Sequence, residues 1–129
     1  MDASVLVELL LASPRGQRAA ARIRATGPAV HLPHLAVMET AAVLRRVVGQ
    51  GLVSVSRATL ALDDLAVFPA TRHPHEPYLR RVWELRAKVS AYDAVYVALA
   101  ESLRAPLLTA DARLARAPLP GVLIELIGP

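Results

Sequence analysis

Helical stretches alternate with short apolar runs of β type along this chain. The β-type runs fall at residues 29–32, 67–71, 106–109 and 122–127. Two short helices are predicted at 4–11 and 15–25, separated by Pro14, and a longer one at 34–49 stopped by Gly49 and Gly51. Ser54 can cap a helix reaching about Leu65, and a further helix is predicted from 76 to 89, after Pro74. Ser90 starts the next, with Ser90-Ala91-Tyr92-Asp93 forming a capping box, and it runs to Arg104. Within it Tyr92, Val95, Tyr96 and Leu99 recur at i, i+3, i+4 and i+7, which predicts a core-facing stripe. A last short helix follows Asp111. Helices alternating with short apolar runs predict an α/β fold, a doubly wound parallel sheet covered by helices.

The length, 129 residues, is that of one domain, so residues 1–129 are read as a single unit. A hydrophobic fraction of 54% and a mean hydropathy of +0.38 supply a core and argue against disorder. No apolar run reaches the roughly 18–20 residues that span a bilayer, and the first residues lack the pattern of a signal peptide. A cytoplasmic protein without a membrane partner is therefore expected. The lack of cysteine excludes disulfides, thiolate catalysis and cysteine-ligated zinc.

Most of the 11 acidic residues have ordinary surface readings: Asp63 and Asp64 near a helix end, Glu76 in a first turn, Glu84 and Glu101 among arginines. Four are placed differently. Glu39 is the only charge in Leu35-Ala36-Val37-Met38-Glu39-Thr40-Ala41-Ala42-Val43-Leu44, where a carboxylate is costly unless paired or ligating a cation. Asp93 opens an apolar helix. Asp111 follows a predicted strand, and Asp2 precedes the apolar Ala3-Ser4-Val5-Leu6-Val7. Singly, Asp2, Asp93 and Asp111 also read as helix caps or first-turn acids. As a set with Glu39 they predict convergence at the carboxyl ends of the strands, where open α/β sheets bind ligands. Converging carboxylates repel, and a hard divalent ion relieves the repulsion. With no cysteine and no histidine pair at ligand spacing, Mg²⁺ or Mn²⁺ is expected rather than zinc. Such an ion suits phosphodiester hydrolysis.

These residues resemble the PIN-domain family, and within it the VapC toxins of bacterial toxin–antitoxin pairs. The resemblance spans essentially the whole chain. It rests on Asp2-Ala3-Ser4-Val5-Leu6-Val7, on Glu39 in its helix, on Ser90-Ala91-Tyr92-Asp93-Ala94-Val95-Tyr96-Val97-Ala98-Leu99-Ala100-Glu101, and on Leu107-Leu108-Thr109-Ala110-Asp111-Ala112-Arg113-Leu114. It implies a metal-dependent endoribonuclease that hydrolyses RNA phosphodiester bonds, in tRNA or ribosomal RNA. It also implies a homodimer neutralised by a cognate VapB-like antitoxin. Asp2, Glu39, Asp93 and Asp111 match the family's four acids, with Asp2 and Asp93 as the firmest metal ligands and Glu39 and Asp111 completing the site directly or through water. Ser4 and Thr109 match polar positions beside the metal. The family's first strand lies inside a sheet of order 3-2-1-4-5. Only Met1 precedes Asp2 here, so the first strand is expected to be truncated, with the true start upstream.

Charge adds a substrate side. The net charge is +4, the pI is about 10.3, and 14 of the 15 basic residues are arginine, which suits bidentate phosphate contacts. Arg15, Arg18, Arg22 and Arg24 share one predicted helix, Arg45 and Arg46 follow Glu39, and Arg80, Arg81, Arg86 and Lys88 form a third group. Each group could contact RNA phosphates or simply face solvent. His31, His34, His73 and His75 show no ligand pattern, and Trp83, Phe68 and the three tyrosines read as core. A receiver-like or haloacid-dehalogenase-like phosphatase is disfavoured, because Lys88 is the only lysine and Asp2 has no acidic neighbour. The remaining alternatives are a catalytically weak RNA-binding or interaction module on the same fold, and a stand-alone RNA-processing nuclease.

Overall fold

A computed structural model of the chain describes residues 1–27 and 29–129. Helix α1 (Ala3–Leu10) is followed by α2 (Pro14–Thr26), which Ser13 caps through Gly16 N–H and Pro14 starts at its first position. Strand β1 (His31–Pro33) leads into α3 (Leu35–Gly49), and α4 (Val55–Val67) is capped by Ser54 as expected. Strand β2 (Thr71–His73) begins where the predicted run ended. Val67 still belongs to α4, and Arg72 Nη2 donates to Leu65 O at 2.8 Å, tying the strand back to that helix.

The helix predicted at 76–89 is broken. A 3₁₀ turn (Glu76–Tyr78) precedes a short α5 (Leu79–Glu84), and the chain then tightens through turns that bury both Leu85 and Val89. Helix α6 (Ala91–Leu103) carries the predicted Ser90 cap, whose Oγ accepts Asp93 N–H at 3.1 Å. Strand β3 (Leu107–Thr109), α7 (Ala112–Ala115) and β4 (Ile124–Leu126) complete the order.

Every residue from Ala94 to Ala100 is buried, so α6 is enclosed nearly all round, not along a single stripe. Tyr92, placed in that stripe by periodicity, is 63% exposed, because the first turn of the helix projects beyond the core. Trp83 is also outside the core, at 68% exposure, with the Arg86 guanidinium 4.7 Å from its ring centroid. Leu6, Leu32, Leu44, Leu107, Leu114 and Val97 form the deepest layer, contributed by α1, β1, α3, β3, α7 and α6.

Among the described residues all strand pairing is parallel, as the alternation predicts. It forms two ladders where one continuous sheet was expected. β1 pairs with β2, matching His31 to Thr71, and β3 pairs with β4, matching Leu107 to Ile124. Between β1 and β3 lies a small cavity of ≈ 100 Å³ lined by Met1, His31, Pro33, Leu99, Leu107 and Leu108. Asp2 N–H donates to Leu108 O at 3.0 Å, so the first turn of α1 docks on β3 at the edge of this gap. Among the described residues no helix is long and apolar enough to cross a membrane.

Helix α1, which Asp2 caps, packs closely on α2. A Cβ on Gly16 would lie 2.0 Å from Glu8 O, a backbone atom that cannot swing aside. Gly16→Ala is expected to push the helices apart and cost about 1–3 kcal/mol, the usual cost of overpacking. Thermal denaturation followed by circular dichroism should read this as a Tm lowered by several degrees.

Candidate active site

Asp2 is the most buried carboxylate in the site, at 6% exposure. It caps α1, its Oδ1 accepting Val5 N–H at 3.3 Å. Two hydroxyls hold it from either side. Ser4 Oγ donates to Oδ1 at 2.5 Å, and Thr109 Oγ1 donates to Oδ2 at 2.5 Å from the end of β3. Each hydroxyl also accepts a backbone amide: Ala110 N–H on Ser4 at 2.9 Å, and Asp111 N–H on Thr109 at 2.9 Å. The strand-to-helix turn after β3 is thus wired to the start of α1 through one carboxylate. Burial pushes the Asp2 carboxyl above its ordinary range, against the hydrogen bonds from Ser4, Thr109 and Val5 that favour the ionised form.

Glu39 sits one turn into α3, partly exposed rather than enclosed. Its Oε1 accepts the Tyr96 hydroxyl at 2.6 Å, which explains how a lone charge is tolerated in an apolar helix. Burial, and then this bond to Glu39, hold the Tyr96 hydroxyl protonated well above the ordinary tyrosine range. Asp93 lies three residues before Tyr96 on the same face of α6. Asp111 caps α7, its Oδ1 accepting the amides of Arg113 at 2.8 Å and Leu114 at 3.4 Å. Arg113 Nη2 then joins the last two acids, donating to Asp93 Oδ2 at 3.0 Å and to Asp111 Oδ2 at 3.1 Å.

All four predicted acids line one open cleft of ≈ 560 Å³, together with Ser4, Tyr96, Arg45 and Arg46. Asp2 and Asp111 are 109 residues apart in sequence, yet the hydroxyl network sets them side by side. Among the described residues no three acidic or histidine side chains stand close enough to share one ion as placed. Each acid holds its own partner instead: hydroxyls on Asp2, Tyr96 on Glu39, Arg113 on Asp93 and Asp111.

The basic residues sort themselves by contact. Arg22 forms a two-point pair with Glu125 at 2.7 Å for each bond, Arg18 Nε donates to Gly128 O at 3.2 Å, and Arg15 pairs with Glu8. Arg81 spans Glu101 and Glu84, which are therefore paired and not merely solvated. Arg45 and Arg46 are exposed at the rim of the acidic cleft. His31 Nδ1 lies 2.9 Å from His73 Nε2, joining β1 to β2, and Leu35 N–H at the start of α3 donates to His75 Nε2 at 2.8 Å. Two site residues escaped the reading of the sequence as functional. Tyr96 looked like core alone, although its spacing from Asp93 put it on the same face. Arg113 was overlooked, although Asp-x-Arg across a strand-to-helix turn lets the side chain fold back on the cap.

A family model described as PIN domain matches residues 1–119. The chain belongs to the PIN-domain family. Among similar proteins, Ribonuclease VapC12 of Mycobacterium tuberculosis (strain ATCC 25618 / H37Rv) is 36% identical over 127 residues, covering 98% of this chain and 97% of the relative. Ribonuclease VapC9 of the same strain is 39% identical over 114 residues, 88% of this chain and 86% of the relative. Ribonuclease VapC1 is 48% identical over 87 residues, 67% and 65% of the two chains. In this PIN domain the elements that carry Asp2, Glu39, Asp93 and Asp111 all fall within the matched span.

The hydroxyl network gives a direct test of how the site is held. Thr109→Val keeps the shape of a fully buried side chain but removes the donor to Asp2 and the acceptor for Asp111 N–H. Leaving these buried groups unpaired should cost about 1–3 kcal/mol. Urea denaturation of the metal-free protein should show a lower midpoint with an unchanged m-value.

Proposed function

We propose that this PIN domain is the toxin component of a type II toxin–antitoxin pair, a VapC-type endoribonuclease that hydrolyses RNA phosphodiester bonds with the help of Mg²⁺ or Mn²⁺. One observation carries the reading: four carboxylates from four separate elements line a single open cleft with two arginines on its rim. The ribonuclease names of relatives that match nearly the whole chain agree with it.

The donor set fits a hard divalent ion. It consists of carboxylate and hydroxyl oxygens only, and Arg113 Nη2 already places one cationic donor between Asp93 and Asp111. Asp2 and Asp93 would be the main ligands, with Glu39 and Asp111 completing the shell directly or through water. When bound, the ion activates water and offsets charge developing on the phosphoryl oxygens. The protein supplies the rest. Ser4 and Thr109 fix both oxygens of Asp2. Tyr96 fixes one oxygen of Glu39. Arg45 and Arg46 lie where a polyanion entering the cleft would place backbone phosphates. The substrate class is structured RNA, such as a tRNA or a ribosomal RNA loop. A cognate VapB-like antitoxin neutralises the enzyme, the working unit is a homodimer, and the setting is the cytoplasm.

The experiment is cleavage of a small-RNA pool by the purified protein with Mg²⁺ or Mn²⁺, with EDTA, and with Asp93→Asn. Even outer partners of metal ligands are commonly worth about 10–100-fold, so loss of a ligand should lower the rate at least about 100-fold. EDTA should abolish cleavage. Folded, metal-replete, antitoxin-free protein that cut nothing would turn the assignment to a non-catalytic RNA-binding or interaction module.

A further inference from the structure

Arg113 contacts its acids differently from Arg22 and Arg81. Arg22 and Arg81 each approach a carboxylate with Nε and Nη2, as two-point forks. Arg113 uses Nη2 alone, and that one nitrogen is shared between Asp93 and Asp111. Its side chain is 68% exposed, against 20% for Asp93 and 37% for Asp111. The guanidinium therefore covers the acids from the solvent side. Its nitrogen sits 3.0 Å from one carboxylate and 3.1 Å from the other, in the position of an ion bridging the two. The backbone of Arg113 is anchored independently, its N–H donating to Asp111 Oδ1 at 2.8 Å. The side chain can thus leave without unwinding the cap of α7.

An exposed pair held through a single nitrogen binds weakly, while two carboxylates with no other cation repel each other. We infer that Arg113 is the resident counter-cation of the acidic cleft, holding Asp93 and Asp111 together until a divalent ion displaces its guanidinium. This rests on the metal-site reading proposed above. Arg113 and the ion compete for the same two carboxylates, so Arg113 sets the threshold of metal loading.

The test is Mn²⁺ titration of the whole protein by isothermal calorimetry at fixed ionic strength. The variants are Arg113→Gln, Arg46→Gln and Asp93→Asn, each checked for an unchanged melting profile in EDTA. Arg46 lines the same cleft but donates to none of the acids, so it measures the general effect of removing one positive charge. Arg113→Gln should tighten Mn²⁺ binding by about 3- to 10-fold, the range expected on removing weak competing pairs, and Arg46→Gln by less than about twofold. Asp93→Asn should abolish binding. If wild type binds Mn²⁺ through Asp93 but Arg113→Gln leaves affinity unchanged, weakens it, or matches Arg46→Gln, the competition is refuted and Arg113 is a structural clamp. If no form binds Mn²⁺, the metal-site reading falls and this inference falls with it.

Discussion

The site depends on one buried carboxylate. Asp2 is enclosed among apolar elements, and a bare charge there would be expensive. Two hydroxyls and one amide make it tolerable, and each hydroxyl passes the constraint on to a backbone amide of the turn after β3. The position of α1, the conformation of the turn that presents Asp111, and the docking of α1 on β3 all follow from satisfying this one group. Removing any member leaves a buried polar atom without a partner, so the network is held as a unit.

The same economy governs the other acids. Glu39 is stabilised by a hydroxyl from α6, and Asp93 and Asp111 by a guanidinium from α7. Every acid in the cleft has a protein partner, and all four line the shared space. That arrangement keeps each charge satisfied within the protein itself. Ordinary structural pairs, such as Arg22 with Glu125, instead use two-point contacts that occupy both oxygens.

Much of this was legible in the chain because local chemistry dictated it. The caps at Ser54 and Ser90, the breaks at Pro14 and Gly51, and the parallel pairing follow from short-range rules that the packing did not override. The four acids stood out because each broke an apolar pattern or sat at a strand-to-helix turn. What was not legible was long-range. Nothing near Glu39 announces a tyrosine 57 residues away as its partner. Periodicity put Tyr92 in the core because it cannot tell where a helix emerges from its neighbours. After Glu84 the helix gives way to turns, with Arg86 N–H donating to Trp83 O and Lys88 N–H to Leu85 O, and no proline or glycine there signals the change. Arg113 was missed because an arginine in a first helical turn reads as solvated unless the two acids it joins are known to be adjacent.

Whether the four acids form one cation site can be read from anomalous diffraction by crystals soaked in Mn²⁺. A single strong peak is expected in the cleft, within coordinating distance of Asp2 and Asp93 oxygens, with the Arg113 guanidinium moved off both carboxylates. An empty cleft with Arg113 still bridging Asp93 and Asp111 at saturating Mn²⁺, or a peak only beside His31 and His73, would contradict it.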